Sequence, residues 1–192
     1  MIWEEVNEVG HYVFDIEIPE ELFQATYYDT FIPYGQNPAL NISPSVERAY
    51  YDTLISDYEN PRNIQCPKHL NDLRELAIKK IPLENIIYNH TTSDIIRYIR
   101  REETTLTGPY KYHYDHFDNL VFMFFIYITT NLPVEGRELL IRKNNEEVFT
   151  VPVKNGRVVI MKTGATNFEH RVVPLKSKDP VILTTNYIWS LP

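Results

Sequence analysis

Tyr110-Lys111-Tyr112-His113-Tyr114-Asp115-His116-Phe117-Asp118 gathers two imidazoles and two carboxylates in one short stretch, directly ahead of the apolar run Leu120 to Ile128. In an extended strand, side chains two positions apart point to the same face. His113 and Asp115 are therefore expected to reach into one cavity and to bind one ion together. His116 and Asp118 repeat the spacing and form an alternate register. The first pair follows an aromatic strand and sets its carboxylate at the strand's end, with room for an ion. The second pair sits in the link to Leu120, against the next strand. The first pair is favoured, and the other is assigned to supporting the ligands or facing the substrate.

From Tyr110 onward, strand-length apolar runs alternate with turn residues. Strands are expected at Tyr110 to Asp115, Leu120 to Thr129, Glu138 to Arg142, Val148 to Val153, Val158 to Lys162 and Val181 to Trp189. Pro133, Gly136, Asn144-Asn145, Asn155-Gly156, Gly164 and Pro180 separate them, and Asn155-Gly156 between two apolar runs predicts a hairpin. Upstream, Tyr12 to Ile18 alternates like a strand. Helices are expected over Glu20 to Thr26, Arg48 to Tyr58, Lys68 to Lys80 and Ile95 to Arg101, from caps, apolar spacing and the prolines that stop them. The fold class is mainly β with flanking helices, the helices buttressing one face of a sandwich. With 192 residues, 1–192 reads as a single domain, in which 1–109 give helical and loop support and a pocket cover and 110–192 form the core.

A third ligand must come from elsewhere, and His170 follows a hairpin and a strand that would pass beside the first pair. Two imidazoles and one carboxylate make the facial triad of non-heme iron(II), which leaves three positions for other ligands. The order of elements then resembles the 2-oxoglutarate/iron(II) oxygenases, and among them the prolyl-4-hydroxylase-like group. Tyr110-x-x-His113-Tyr114-Asp115-x-Phe117 looks like that group's first metal strand and Phe125-Ile126-Tyr127-Ile128 like the strand after it. Gly136-Arg137-Glu138-Leu139 resembles its GGxL turn, Asn155-Gly156-Arg157-Val158-Val159-Ile160 the run before the distal histidine, and His170-Arg171-Val172-Val173-Pro174 the distal motif. The resemblance covers Tyr110 to Trp189. It implies a double-stranded β-helix of the jelly-roll or cupin-like kind, Fe(II), 2-oxoglutarate as co-substrate, dioxygen, and hydroxylation as the usual outcome. A carboxylate at Asp115 argues against halogenation.

The likeness breaks at one point. Such enzymes hold the remote carboxylate of 2-oxoglutarate with an Arg or Lys about ten residues after the second histidine, and here that place is Pro180. A buried carboxylate needs cationic or multiple donors, so the candidates become Arg142, Lys178, Lys176 and Lys162, with Tyr127 and Thr184 adding hydroxyls. A cupin-like iron oxygenase or oxidase without 2-oxoglutarate would explain Pro180 directly. A sandwich that only binds a ligand is the reading from a different class.

Composition narrows the rest. A net charge of −7 and no Lys/Arg run longer than a pair exclude a broad nucleic-acid or anionic-membrane surface. The longest apolar run is less than half of the roughly 20 residues needed to cross a bilayer. Cys66 stands alone, which rules out an internal disulfide and fits a reducing compartment, so a cytoplasmic protein is expected. His11, His69 and His90 read as surface or structural groups, and Arg137 and Arg142 as exposed strand residues. The tyrosines before Tyr110, among them Tyr27, Tyr28, Tyr50 and Tyr51, suit a pocket for a polar small molecule or a peptide.

Overall fold

The computed structural model describes residues 2–27, 48–52, 68–82, 94–99, 111–115, 120–130, 133–162, 168–173, 176 and 181–189. In chain order these form α1 (Ile2–Val9), β1 (His11–Asp15), α2 (Glu20–Gln24), β2 (Arg48–Asp52), α3 (Lys68–Ile78) and β3 (Asp94–Ile99). They continue as β4 (Leu120–Ile128), β5 (Leu139–Lys143), β6 (Glu146–Val151), β7 (Arg157–Lys162), β8 (Phe168–Val172) and β9 (Val181–Trp189).

The strands make two sheets, one of six in the order β1-β7-β4-β9-β3-β2 and one of three in the order β6-β5-β8. Every pairing is antiparallel. The unbroken apolar run of β4 is explained by its two covered faces. Phe122, Phe124, Ile126 and Ile128 pack with Val158, Ile160 and Ile182 against Val6 of α1 and Leu73, Ala77 and Ile78 of α3. Met123, Phe125 and Tyr127 face the other way, packing with Val159, Met161, Val181 and Leu183 onto Leu139, Ile141, Val151, Phe168 and Val172 of the smaller sheet. A period of two on one strand thus builds a helix-facing core and an inner core between the sheets. Burying each of these side chains contributes about 1.5–3 kcal/mol.

Several expectations are corrected here. Arg48 to Asp52 and Asp94 to Ile99 are strands, paired with each other, and β3 pairs in turn with β9. Ile95, Ile96, Tyr98 and Ile99 are strong strand formers, and the open edge of β9 gives them a partner that outweighs a local helix cap. The remainder of the expected helix to Tyr58 lies outside the described residues. The first 109 residues therefore supply strands to the larger sheet as well as the helices on its face. Asn155-Gly156 does form a turn, with Arg157 N–H donating to the Lys154 carbonyl at 3.0 Å. It does not join two paired strands: β6 belongs to the small sheet and β7 to the large one. The hairpin lies one turn earlier, at Asn144-Asn145, where φ values of 52° and 71° between β5 and β6 suit asparagine in a primed turn.

Gly156 has a different task. At φ +75° its N–H donates to the Tyr127 carbonyl at 2.9 Å and its carbonyl accepts from Ile16 N–H at 2.8 Å, tying the ends of β1, β4 and β7. A Cβ there would land on the Ile16 carbonyl oxygen. Gly156→Ala combines that clash with a left-handed backbone and is expected to lower stability by roughly 2 kcal/mol or more, read from urea unfolding.

Candidate metal centre

The stretch that opens the argument adds one more strand-like segment beside β8. His113 N–H donates to the His170 carbonyl at 3.0 Å, and His170 N–H donates to the His113 carbonyl at 2.8 Å, an isolated antiparallel bridge. Directly opposed residues present their side chains on one face. The two imidazole rings accordingly lie 4.4 Å apart, tilted by 50°. Asp115, two residues along, shares that face, and its Oδ2 is 3.7 Å from His170 Nε2. One donor atom from each of His113, Asp115 and His170 falls within 4.8 Å of the other two. Atoms bound at about 2.1 Å to one ion stand roughly 3 Å apart in cis positions, so small side-chain movements suffice to close on a cation.

Surroundings fix the rings. His113 Nδ1 lies 2.8 Å from the Lys111 carbonyl, and since a carbonyl only accepts, Nδ1 carries the proton and Nε2 keeps the lone pair. His170 is 3% exposed and packs against the Phe125 ring at 5.6 Å, whereas the Asp115 side chain retains 17% exposure. The imidazole is thus anchored inside and the carboxylate stands towards the rim. On the inner face of β9, Thr185 pairs with Phe125 in register, and its buried hydroxyl finds no hydrogen-bond partner among the described residues.

The opposite face of the same segment is held by charge. Tyr112, alternating with His113, lies under the Arg142 guanidinium at 3.9 Å and near that of Arg171 at 5.1 Å. Arg142 Nε also donates to Glu169 Oε2 at 2.7 Å. Two cation–π contacts and an ion pair clamp the segment onto β5 and β8.

The remaining candidates are distributed unevenly. Arg142 pairs with Glu169 in register while its neighbour Ile141 pairs with His170, so Arg142 points away from the triad. Thr184 lies on the helix-facing side of β9, its hydroxyl accepting from Asn186 Nδ2 at 3.2 Å; Thr185 is the residue on the inner side. Tyr127 is on the inner face, fully buried, with its hydroxyl donating to the Arg137 carbonyl at 2.8 Å, and burial pushes its pKa well above the ordinary tyrosine value. Lys176 is half exposed beside Glu135, and Lys162 donates to Asn7. His116, Asp118, Lys178 and Pro180 lie outside the described residues. His11 is buried, its ring tilted by 31° against Phe149 at 4.4 Å and bonded to the Val9 carbonyl at 3.2 Å. Arg137, expected to be exposed, has no accessible surface. The signal for it was the turn Gly136-Arg137-Glu138-Leu139 leading into an inward-facing strand.

No protein-family model and no curated protein matches the sequence. Solved structures do match. A Pseudomonas putida prolyl-4-hydroxylase superposes over 100% of this chain and 98% of its own, with a TM-score of 0.62 at 14% identity. The chain has the prolyl-4-hydroxylase fold. A non-heme alpha-ketoglutarate-dependent carbocyclase from nogalamycin biosynthesis matches at TM-score 0.66 and 14% identity, over 98% of this chain and 83% of its own. A Trichoplax adhaerens prolyl hydroxylase, in complex with a peptide fragment of the hypoxia inducible factor oxygen degradation domain, matches at 0.61 and 14%, over 98% and 87%. The two sheets are therefore the double-stranded β-helix expected from the sequence, with three of its strands drawn from the first half of the chain.

The clamp yields a test. Tyr112→Ala is expected to lower stability by about 1–2 kcal/mol and to speed amide exchange at His113 and His170 more than in the centre of β5, while Tyr112→Phe keeps the ring and behaves as wild type.

Proposed function

We propose that this protein is a non-heme Fe(II), 2-oxoglutarate-dependent oxygenase, with His113, Asp115 and His170 as the metal ligands. The observation that carries the reading is the His113–His170 bridge with Asp115 on the same face, inside a double-stranded β-helix. The donor set fits: two neutral imidazoles and one carboxylate suit iron(II) and leave neighbouring positions open for small ligands. Iron bound there, with 2-oxoglutarate and dioxygen, supplies the oxidising power to hydroxylate an unactivated C–H bond.

The chain's own residues do the rest. Lys111 holds the His113 ring through its carbonyl, which engages Nδ1 and leaves Nε2 as the nitrogen that would hold a metal. Phe125 and the inner core exclude water behind His170. Asp115 stands nearer the rim, on the side from which ligands arrive. The substrate class is a polar small molecule or a protein side chain, bracketed by one fold neighbour that is a carbocyclase and another that holds a peptide. Among the described residues no helix is long and apolar enough to cross a membrane, and a cytoplasmic location accords with the lone cysteine. The reading without 2-oxoglutarate draws on Pro180, where a cation was expected.

Anaerobic titration tests both. Wild type is expected to bind one Fe(II), and addition of 2-oxoglutarate to give a visible charge-transfer band. His113→Ala, Asp115→Ala and His170→Ala are expected to weaken iron binding by at least about 100-fold and to abolish the band. Retained iron affinity in all three variants would refute the ligand assignment. Iron binding with no band would refute the co-substrate. Iron-dependent products heavier by one oxygen, sought by mass spectrometry in candidate extracts, would identify the substrate.

A further inference from the structure

Two of the three ligands ride on a stretch of chain that the fold holds at few points. His170 belongs to β8, which is laddered to β5 along its whole length. His113 and Asp115 have no such ladder: among the described residues, their stretch pairs with β8 through the single bridge His113–His170. The Lys111 carbonyl that orients the His113 ring lies in the same stretch, so it ties the imidazole to its own segment and not to the rest of the molecule. The Lys111 and Tyr114 side chains are exposed. Apart from the bridge and the contacts within the triad, the grip on 111–115 among the described residues therefore falls to Tyr112.

Antiparallel pairing at His113–His170 sets Tyr112 beside Arg171 on the outer face of the small sheet. There its ring meets the Arg142 guanidinium at 3.9 Å and that of Arg171 at 5.1 Å. Arg142 comes from β5 and Arg171 from β8, so the ring is held by both strands that fix His170. Glu169 steadies Arg142 through an ion pair at 2.7 Å. The Arg171 Nε, by contrast, is buried with no hydrogen-bond partner among the described residues. A donor buried without a partner is unfavourable, and an apolar side chain would cover the sheet there at no such cost. What a guanidinium adds at this place is its charge near the ring.

We propose that Tyr112 is a positioning residue of the metal centre and that Arg142 and Arg171, acting through its ring, set the affinity for iron from the outer face of the small sheet. The inference rests on the ligand assignment made above. Apparent affinity is the intrinsic affinity multiplied by the fraction of molecules in which 111–115 is docked. Each cation–π contact corresponds to roughly a 2- to 30-fold preference for the docked state. Docking and metal binding then tighten each other by the same factor.

The test is anaerobic titration with Fe(II) alone, beside urea unfolding of the metal-free protein. Tyr112→Leu keeps apolar bulk but loses the ring, and is expected to bind Fe(II) about 10-fold more weakly than wild type, with Tyr112→Phe as tight as wild type. Arg142→Met and Arg171→Met are each expected to lose about 3-fold. Tyr112→Leu combined with Arg142→Met is expected to lose no more than Tyr112→Leu alone, since the arginines act through the ring. Lys143→Met removes the β5 cation that lies over Phe168 at 5.1 Å and is expected to leave the affinity unchanged. A lower urea midpoint in Tyr112→Leu with Fe(II) affinity intact would overturn the proposal, by marking a role in stability only. Independent, multiplying losses in the double variant would overturn it too, as would an equal loss in Lys143→Met. All three outcomes leave the ligand assignment standing. If wild type binds no Fe(II), that assignment falls and takes this inference with it. Should Tyr112→Leu fail to fold, the surface variants Arg142→Met and Arg171→Met decide, and wild-type affinity in both would overturn the proposal.

Discussion

The paired backbone bonds between His113 and His170, at 3.0 and 2.8 Å, fix which residues can meet at the triad. A bridge of this kind sets register, and a slip of one residue turns every side chain of a strand to the opposite face. Moved by one, the segment would send His113 and Asp115 outward and bring Tyr112 and Tyr114 in. The site has little backbone pairing of its own to resist this, since among the described residues the bridge is a single isolated pair. Tyr112 beneath Arg142 and Arg171 supplies the resistance from the outer face. The aromatic and the imidazole next to it in sequence thus serve one purpose from opposite sides.

Behind the triad, the same alternation partitions the molecule. Odd-numbered residues of β4 fill the space between the sheets and even-numbered ones meet the helices, so β4 is buried on both faces. Tyr127 links the two arrangements. Its carbonyl accepts from Gly156, which also holds Ile16, and its hydroxyl reaches the Arg137 carbonyl on the strand entry of the smaller sheet. The ends of β1, β4 and β7 and the entry of β5 are therefore tied together around one residue.

Much of this was legible in the sequence because it depends on local period. His-x-Asp shares a face by strand geometry alone, and strands β4 to β7 and β9 follow from apolar runs and turn residues, whereas β8, with its polar Glu169, His170 and Arg171, carries no such run. What failed depended on partners. Ile95 to Ile99 looked helical until β9 offered an edge, and Asn155-Gly156 looked like a hairpin although its flanking strands enter different sheets. Which threonine of β9 faces inward was equally hidden, since only the pairing with β4 sets Thr185 opposite Phe125 and Thr184 opposite Ile126. The stacking of Arg142 on Tyr112 and the burial of Arg137 belong to the same class: side chains of ordinary exposed type whose surroundings are created by register.

Arg137 also bears on how the fold distributes its costs. A left-handed arginine with a buried charge is tolerated only where neighbouring structure over-determines the backbone. Here that structure is identifiable: the N–H is committed to Val173, the carbonyl to Tyr127, and Val173 N–H returns to the Glu138 carbonyl at 2.9 Å. These bonds continue the β5–β8 ladder past Leu139 and lock the residue at the mouth of the inner sheet. The same ladder, followed in the other direction, reaches Ile141 opposite His170. One pair of strands therefore positions both the histidine of the triad and the buried arginine through backbone pairing. Because both are set by backbone pairing rather than by flexible side-chain contacts, a slip of register along β5 and β8 would displace them together.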